Sequence, residues 1–214
     1  MTVVAVLREL NEGILLAADS EATGDAGLKS RMLKVRQIKS LPLAWACKGN
    51  PAIGLDRFGQ WLTRYDFTNA VWDKFSEDAF LALAELNRQQ RERTRKTGAE
   101  VTDDLLSDCI IAGWLDRPDM YVLSDDGNLF SVWEQGFYSM GSGGPAARIA
   151  FSALFLNGLS QPESVLKIVM EAATALSPQC GPPVQCLRIT QKGVKQAFRL
   201  EQLALQSRPG SNEP

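Results

Sequence analysis

Two apolar runs open the chain, residues 2–8 and 13–19, and the polar stretch Glu9-Leu10-Asn11-Glu12-Gly13 joins them. Strand-length apolar segments around a short loop ending in glycine predict a β-hairpin. Short strands are also predicted over 34–38 and 41–47, after which Lys48-Gly49-Asn50-Pro51 breaks the pattern ahead of an amphipathic helix over 52–65. A longer helix is predicted from near Ser76, with Glu77 and Asp78 in its first turn and Phe80, Leu83, Ala84 and Leu86 on one apolar face. It runs out in the basic stretch 88–96.

From Leu105 the period changes. Strands are predicted over 109–114, 120–123, 129–133 and 136–140, with Ser124-Asp125-Asp126-Gly127-Asn128 as a turn. Two helices follow, one opened by Gly143-Gly144-Pro145, the other by Ser160-Gln161-Pro162-Glu163, read as a capping box with proline at a tolerated early position. Residues 184–190 and 194–200 read as closing strands around Gln191-Lys192-Gly193. Strands, two helices, strands, two helices, strands is the order of an α+β fold with two antiparallel sheets between helical layers, not of a doubly wound parallel sheet. The glycine-rich piece Gly141-Ser142-Gly143-Gly144 lacks the spacing and the βαβ setting of a dinucleotide fingerprint. With 214 residues the chain suits one core, placed over 1–206, and the tail 207–214 is predicted to be disordered.

A formal charge of −2 gives no global electrostatic case for nucleic acid or an anionic membrane. The basic run 88–96 closes a helical pattern, where cations suit the C-terminal dipole and solvent. No segment approaches the ~20 apolar residues of a membrane span, and no secretory signal pattern opens the chain, so a cytoplasmic location is expected. Cys47, Cys109, Cys180 and Cys186 form no C-x-x-C pair, and without histidine they complete no typical zinc site. Reduced thiols filling core space are expected, with no metal or organic cofactor.

The absence of histidine also limits acyl-transfer chemistry to other bases. Removal of Met1 would make Thr2 the terminus, with a hydroxyl nucleophile and an α-amine of pKa roughly 7.7–8.0 on one residue. Four segments bear on this: T-V-V-A-V at the start, G-I-L-L-A-A-D-S at 13–20, L-K-V-R-Q-I at 33–38 and M-G-S-G-G-P at 140–145. In order and approximate spacing the set resembles proteasome β-type subunits, including the related bacterial HslV-type peptidases. S-D-D-G-N-L and C-G-P-P-V-Q-C-L-R-I-T-Q-K-G extend the resemblance over roughly residues 2–200.

That resemblance implies a four-layer αββα N-terminal-nucleophile hydrolase fold. It implies Thr2 as nucleophile, Lys34 as the positive charge that activates it, Asp19 as the carboxylate paired with that lysine, and Ser142 as a hydrogen-bonding group near the terminal amine. Ala46 falls at the oxyanion position usually held by glycine, and Trp45 at a position lining the specificity pocket. Ser177 and Cys180 stand where the family has an aspartate and a serine supporting the amine, so a carboxylate is missing. Counting back from Val6 places Met1, not Thr2, opposite the family's threonine, a slip that reverses faces in a regular strand unless a bulge corrects it.

The implied function is a self-compartmentalising threonine-type endopeptidase acting on peptides or unfolded protein. It would form a homo-oligomeric ring or double ring, served by an ATP-dependent unfoldase. A catalytically silent ring subunit is the alternative, and a small-molecule amidase using the same chemistry is a third reading.

Overall fold

The computed structural model describes residues 2–10, 13–23, 29–38, 40–102, 105–178 and 180–201. Met1, part of the first loop and the tail 207–214 lie outside the described residues. Twelve strands are described: β1 (Val3–Arg8), β2 (Ile14–Asp19), β3 (Glu21–Thr23), β4 (Lys29–Arg31), β5 (Val35–Gln37), β6 (Leu43–Gly49), β7 (Ser107–Trp114), β8 (Pro118–Leu123), β9 (Leu129–Ser131), β10 (Phe137–Gly141), β11 (Val184–Thr190) and β12 (Gly193–Leu200). The α-helices are α1 (Phe58–Arg64), α2 (Trp72–Lys96), α3 (Gly144–Leu156) and α4 (Pro162–Leu176), and a π-helical segment, Ala52–Arg57, runs into α1.

Two five-stranded antiparallel sheets form, ordered β10-β1-β2-β11-β12 and β5-β6-β7-β8-β9, with β3 and β4 as a separate pair. Alternate residues of each sheet face different layers. Val3, Ala5, Leu15 and Ala17 pack on Leu166, Val169, Met170 and Ala173 of α4. Val4, Val6, Leu16 and Ala18 meet Ala44, Ala46, Ile110 and Ala112 between the sheets. Leu43, Trp45, Cys47 and Ile111 face Phe58, Leu62, Phe75 and Leu83 of α1 and α2. The predicted α+β class and the αββα layering are both present. Because both faces of β1 and β2 are buried, their sequences are unbroken apolar runs, without the alternation of half-exposed strands.

The helix starts differ from the expected ones for reasons outside local sequence. Helix α2 begins at Trp72 instead of Ser76 because the Asp116 carboxylate accepts the Trp72 amide at 2.9 Å and the indole donates to the Arg117 carbonyl at 2.7 Å. It also continues through the basic run, where Arg88 pairs with Glu85 and Glu92, and Arg91 reaches Asp125. The capping box does not form. Gln161, not Ser160, occupies the N-cap without a side-chain bond, and Glu163 is drawn away to Arg188 at 2.8 Å. Among the described residues no helix is long and apolar enough to cross a membrane.

The turn after β8 creates a charged cluster against α2. Asp108 accepts the Asp125 amide at 2.8 Å and pairs with Lys48 at 2.8 Å, while Arg91 bonds the Asp125 carboxylate at 3.1 Å. Burial, reinforced by Asp108, outweighs the two cations and pushes the Asp125 carboxyl from 3.8 up to about 6. The folded chain therefore holds this proton to higher pH than the unfolded chain does. The group's stabilising contribution is complete below the unfolded value and is lost as pH rises through about 6. Urea midpoints at pH 4 and pH 7 should accordingly differ less in Asp125→Asn than in the parent, in the sense that the variant loses less stability on going to pH 7.

Candidate active site

Three strand ends converge on one buried carboxylate. Asp19, the last residue of β2, is fully buried, and its Oδ1 accepts the Val3 amide at 3.0 Å and the Lys34 ammonium at 3.1 Å. Its Oδ2 accepts the Gly181 amide at 3.3 Å. Lys34 stands just before β5, so the ion pair joins the ends of the two sheets. Lys34 Nζ also donates to Thr2 Oγ1 at 2.6 Å. Burial raises the Asp19 carboxyl above its ordinary range, although the adjacent ammonium and the two amides pull the other way.

Thr2 is held from a third side. Its carbonyl oxygen accepts from the Gly143 amide and the Ser142 hydroxyl, each at 3.4 Å. The strand pair brings them there, since Val3 sits opposite Gly141. Gly141 has φ +87°, and a Cβ at that position would fall 2.0 Å from the Thr2 carbonyl oxygen, so the close approach requires glycine. Ser142 Oγ lies 3.5 Å from Cys180 Sγ, which lies 3.5 Å from Ser177 Oγ at the end of α4. Burial and the nearby Asp19 push the Cys180 thiol up, so it enters this chain as a neutral group.

No protein-family model matches the sequence, and no curated protein matches it. Solved structures do. HslV from Trypanosoma brucei aligns with TM-score 0.60 at 18% identity, over 87% of this chain and 98% of that one. Anbu (ancestral beta-subunit) from Yersinia bercovieri aligns with TM-score 0.71 at 12% identity, over 91% and 87%. BPH from Thiobacillus denitrificans, in complex with epoxomicin, aligns with TM-score 0.65 at 19% identity, over 89% and 99%. The chain has the proteasome-type N-terminal-nucleophile hydrolase fold.

Within this proteasome-type fold the sequence-derived positions separate into two groups. Thr2, Asp19, Lys34, Ser142, Ser177 and Cys180 come together as described. The residue count that set Met1 in the nucleophile's place needed a bulge to bring Thr2 into register. Strand β1 pairs continuously with β10 over Val3–Leu7, and the Thr2 hydroxyl still reaches Lys34. Thr2 precedes the paired strand, so the alternation of faces along β1 does not fix where its side chain points.

Ala46 and Trp45 do not fit their expected roles. The Trp114 amide bonds Pro42 O and the Asn50 amide bonds Leu106 O, so even-numbered residues of β6 direct their amides and carbonyls to β7. The Ala46 amide is thus committed inside the ladder opposite Ile110 and is not free to stabilise an oxyanion. The odd-numbered amides face the β5 side; that of Cys47 stands opposite the Lys34 carbonyl, flanking the Val35–Ala46 pair, and the next one along belongs to Gly49. Trp45 lies on the helical face of the sheet, its indole bonded to the Gly54 carbonyl at 3.1 Å and its ring against Gly59. It is a core side chain, not a pocket wall. Sequence reading also missed the Gly181 amide on Asp19; the glycine in C-G-P-P was the available signal.

Among the described residues no group of three or more His, Cys, Asp or Glu side chains converges as metal ligands would. Two substitutions test these assignments. Trp45→Ala should destabilise the fold by about 3–5 kcal/mol, the usual cost of emptying an aromatic core site, measured by urea denaturation; an unchanged midpoint would restore a pocket role. Gly141→Ala should lower stability as well, because the added methyl meets main chain that cannot yield.

Proposed function

We propose that this chain is a threonine-type peptide hydrolase whose nucleophile is Thr2, freed by removal of Met1. The observation that carries this reading is the 2.6 Å bond from Lys34 to Thr2 Oγ1 while the same ammonium is paired with Asp19. A cation held beside a hydroxyl favours its alkoxide form. The freed α-amine takes the hydroxyl proton as Oγ1 attacks the peptide carbonyl, and the Gly49 amide, on the β5 side of β6 beyond that ladder, stabilises the oxyanion. The tetrahedral intermediate collapses as the amine returns a proton to the leaving nitrogen. The resulting Thr2 ester is then hydrolysed by water activated by the same amine.

Assembly is part of the proposal. A hydrolase with generic amide reactivity needs controlled access, and the resemblance to proteasome β-type subunits implies rings served by an ATP-dependent unfoldase. Ile149, Phe155 and Leu156 of α3 and Leu176 of α4 are exposed and apolar on the outer helical layer, which supports burial against further copies. Phe155→Glu with Leu156→Glu should shift the chain from a multi-subunit species toward the monomer mass in light scattering.

A second reading is favoured by a specific feature. Ser177 replaces the carboxylate that the resemblance implies beside the amine, and the adjacent Cys180 contributes a neutral thiol. A silent ring subunit would retain the fold with such an altered support.

The two readings part on covalent labelling. Epoxomicin, present in the Thiobacillus denitrificans structure, is the probe. Intact mass of native protein should show loss of Met1 and a stoichiometric epoxomicin adduct that Thr2→Ala abolishes. Thr2→Ala and Lys34→Ala should each lower peptide hydrolysis by orders of magnitude, with Cys180→Ala mattering far less. Quantitative retention of Met1 with no adduct would defeat the catalytic reading and leave the silent subunit.

A further inference from the structure

The Thr2 chemistry uses no thiol as a reacting group, yet two thiols face each other beside the site. Cys47 on β6 and Cys109 on β7 are direct cross-strand partners with Sγ atoms 2.6 Å apart. Since the even-numbered residues of β6 carry the bonds to β7, Cys47 and Cys109 form a non-hydrogen-bonded pair. In such pairs the Cα atoms approach to about 4.5 Å and the side chains lie closest. That separation is within the range a disulfide spans, about 4.4–6.8 Å.

The surroundings hold the sulfurs together. The Cys47 thiol donates to the Gly54 carbonyl at 3.1 Å, and a Cβ on Gly54 would sit 2.7 Å from Cys47 Sγ, so the missing side chain makes the space the thiol occupies. Cys109 is fully buried, whereas Cys47 retains 5% of its surface. Both are free thiols in the structure. Cys47 follows Ala46, the partner of Val35, and therefore lies next to the level of Lys34.

We propose that Cys47 and Cys109 are a modification site, an oxidisable pair that closes into a reversible cross-strand disulfide under peroxide. The Cys47 sulfur gives up its thiol proton and attacks one peroxide oxygen, the O–O bond breaks, and the departing oxygen takes up that proton and leaves as water, giving a sulfenic acid. Cys109 sulfur then attacks the Cys47 sulfur, losing its proton as the S–O bond breaks and a second water departs. Two thiols and one hydrogen peroxide thus give one disulfide and two waters. The more accessible Cys47 is the residue oxidised first and Cys109 resolves it. A thiol reductant reverses the bond by exchange. The new bond ties β6 to β7 at the level of Lys34, which makes the neighbourhood of the site sensitive to oxidation.

Tryptic mapping resolves the cysteines, because Cys47 is alone in peptide 40–48, Cys109 alone in 97–148, and Cys180 and Cys186 share 168–188. Native full-length protein is treated with hydrogen peroxide, unfolded in urea with N-ethylmaleimide, digested and analysed by mass spectrometry. The expected product is 40–48 linked to 97–148, two hydrogens lighter than the sum, absent after dithiothreitol and absent in Cys109→Ser. Cys186→Ser should leave the link intact, and dithiothreitol reversal in the unmutated chain decides the matter if Cys109→Ser fails to fold. Full maleimide labelling of Cys47 and Cys109, after an exposure that oxidises thiols of the urea-unfolded chain, would overturn the proposal. So would sulfinic acid on Cys47 with Cys109 unlinked.

Discussion

A carboxylate removed from water must be neutralised and hydrogen-bonded by the protein around it, and Asp19 meets this need with groups from three separated segments. The Val3 amide, the Lys34 ammonium and the Gly181 amide all reach its two oxygens. Burying either charge alone costs several kcal/mol, and leaving one without its partner costs about 3–5 kcal/mol. The first sheet supplies Asp19 and Val3, while Lys34 leads into the second, so the charge is satisfied only when both sheets have closed. The intersheet core of Val4, Leu16, Ala46 and Ile110 provides the apolar burial that brings them together.

Thr2 is placed by consequence of that closure. The ammonium that neutralises Asp19 has a further donor position, and it is spent on the Thr2 hydroxyl. On the other side, Gly141, Ser142 and Gly143 fix the Thr2 carbonyl because a residue without Cβ allows the chains to approach. The Thr2 hydroxyl is thus held at a strand end by main-chain contacts and one shared cation, in a chain that has no histidine. The thiol Cys180 and the hydroxyl Ser177 complete the surroundings with neutral groups.

Much of this was legible in the sequence, and the misses have identifiable physical causes. The two-sheet order, both helix pairs and the meeting of Thr2, Asp19, Lys34 and Ser142 follow from short motifs whose spacing survives in the fold. The start of α2 was misplaced because Asp116, far along the chain, supplies the contact to its first residue. The capping box failed because Glu163 has a stronger partner in Arg188. Ala46 and Trp45 were assigned from alignment without knowing strand phase. Which amides of β6 are free, and which face Trp45 occupies, depend on the register with β5 and β7, a nonlocal quantity that one strand's sequence does not carry. The β3–β4 pair was also absent from the sequence reading, since its three-residue strands are too short for a periodic signal.

The dependence of the site on the Asp19–Lys34 pair is tested most directly by a double-mutant cycle on folding stability, with Asp19→Asn, Lys34→Met and the combination, measured by urea denaturation at pH 7. If the buried pair closes the sheet ends, each single change should be strongly destabilising, and the double variant should be more stable than the sum of the two losses implies, with a coupling well above ~0.5 kcal/mol. Additive losses within that margin would contradict the account, because the carboxylate and the ammonium would then be satisfied independently and neither would hold the other, or Thr2, in place.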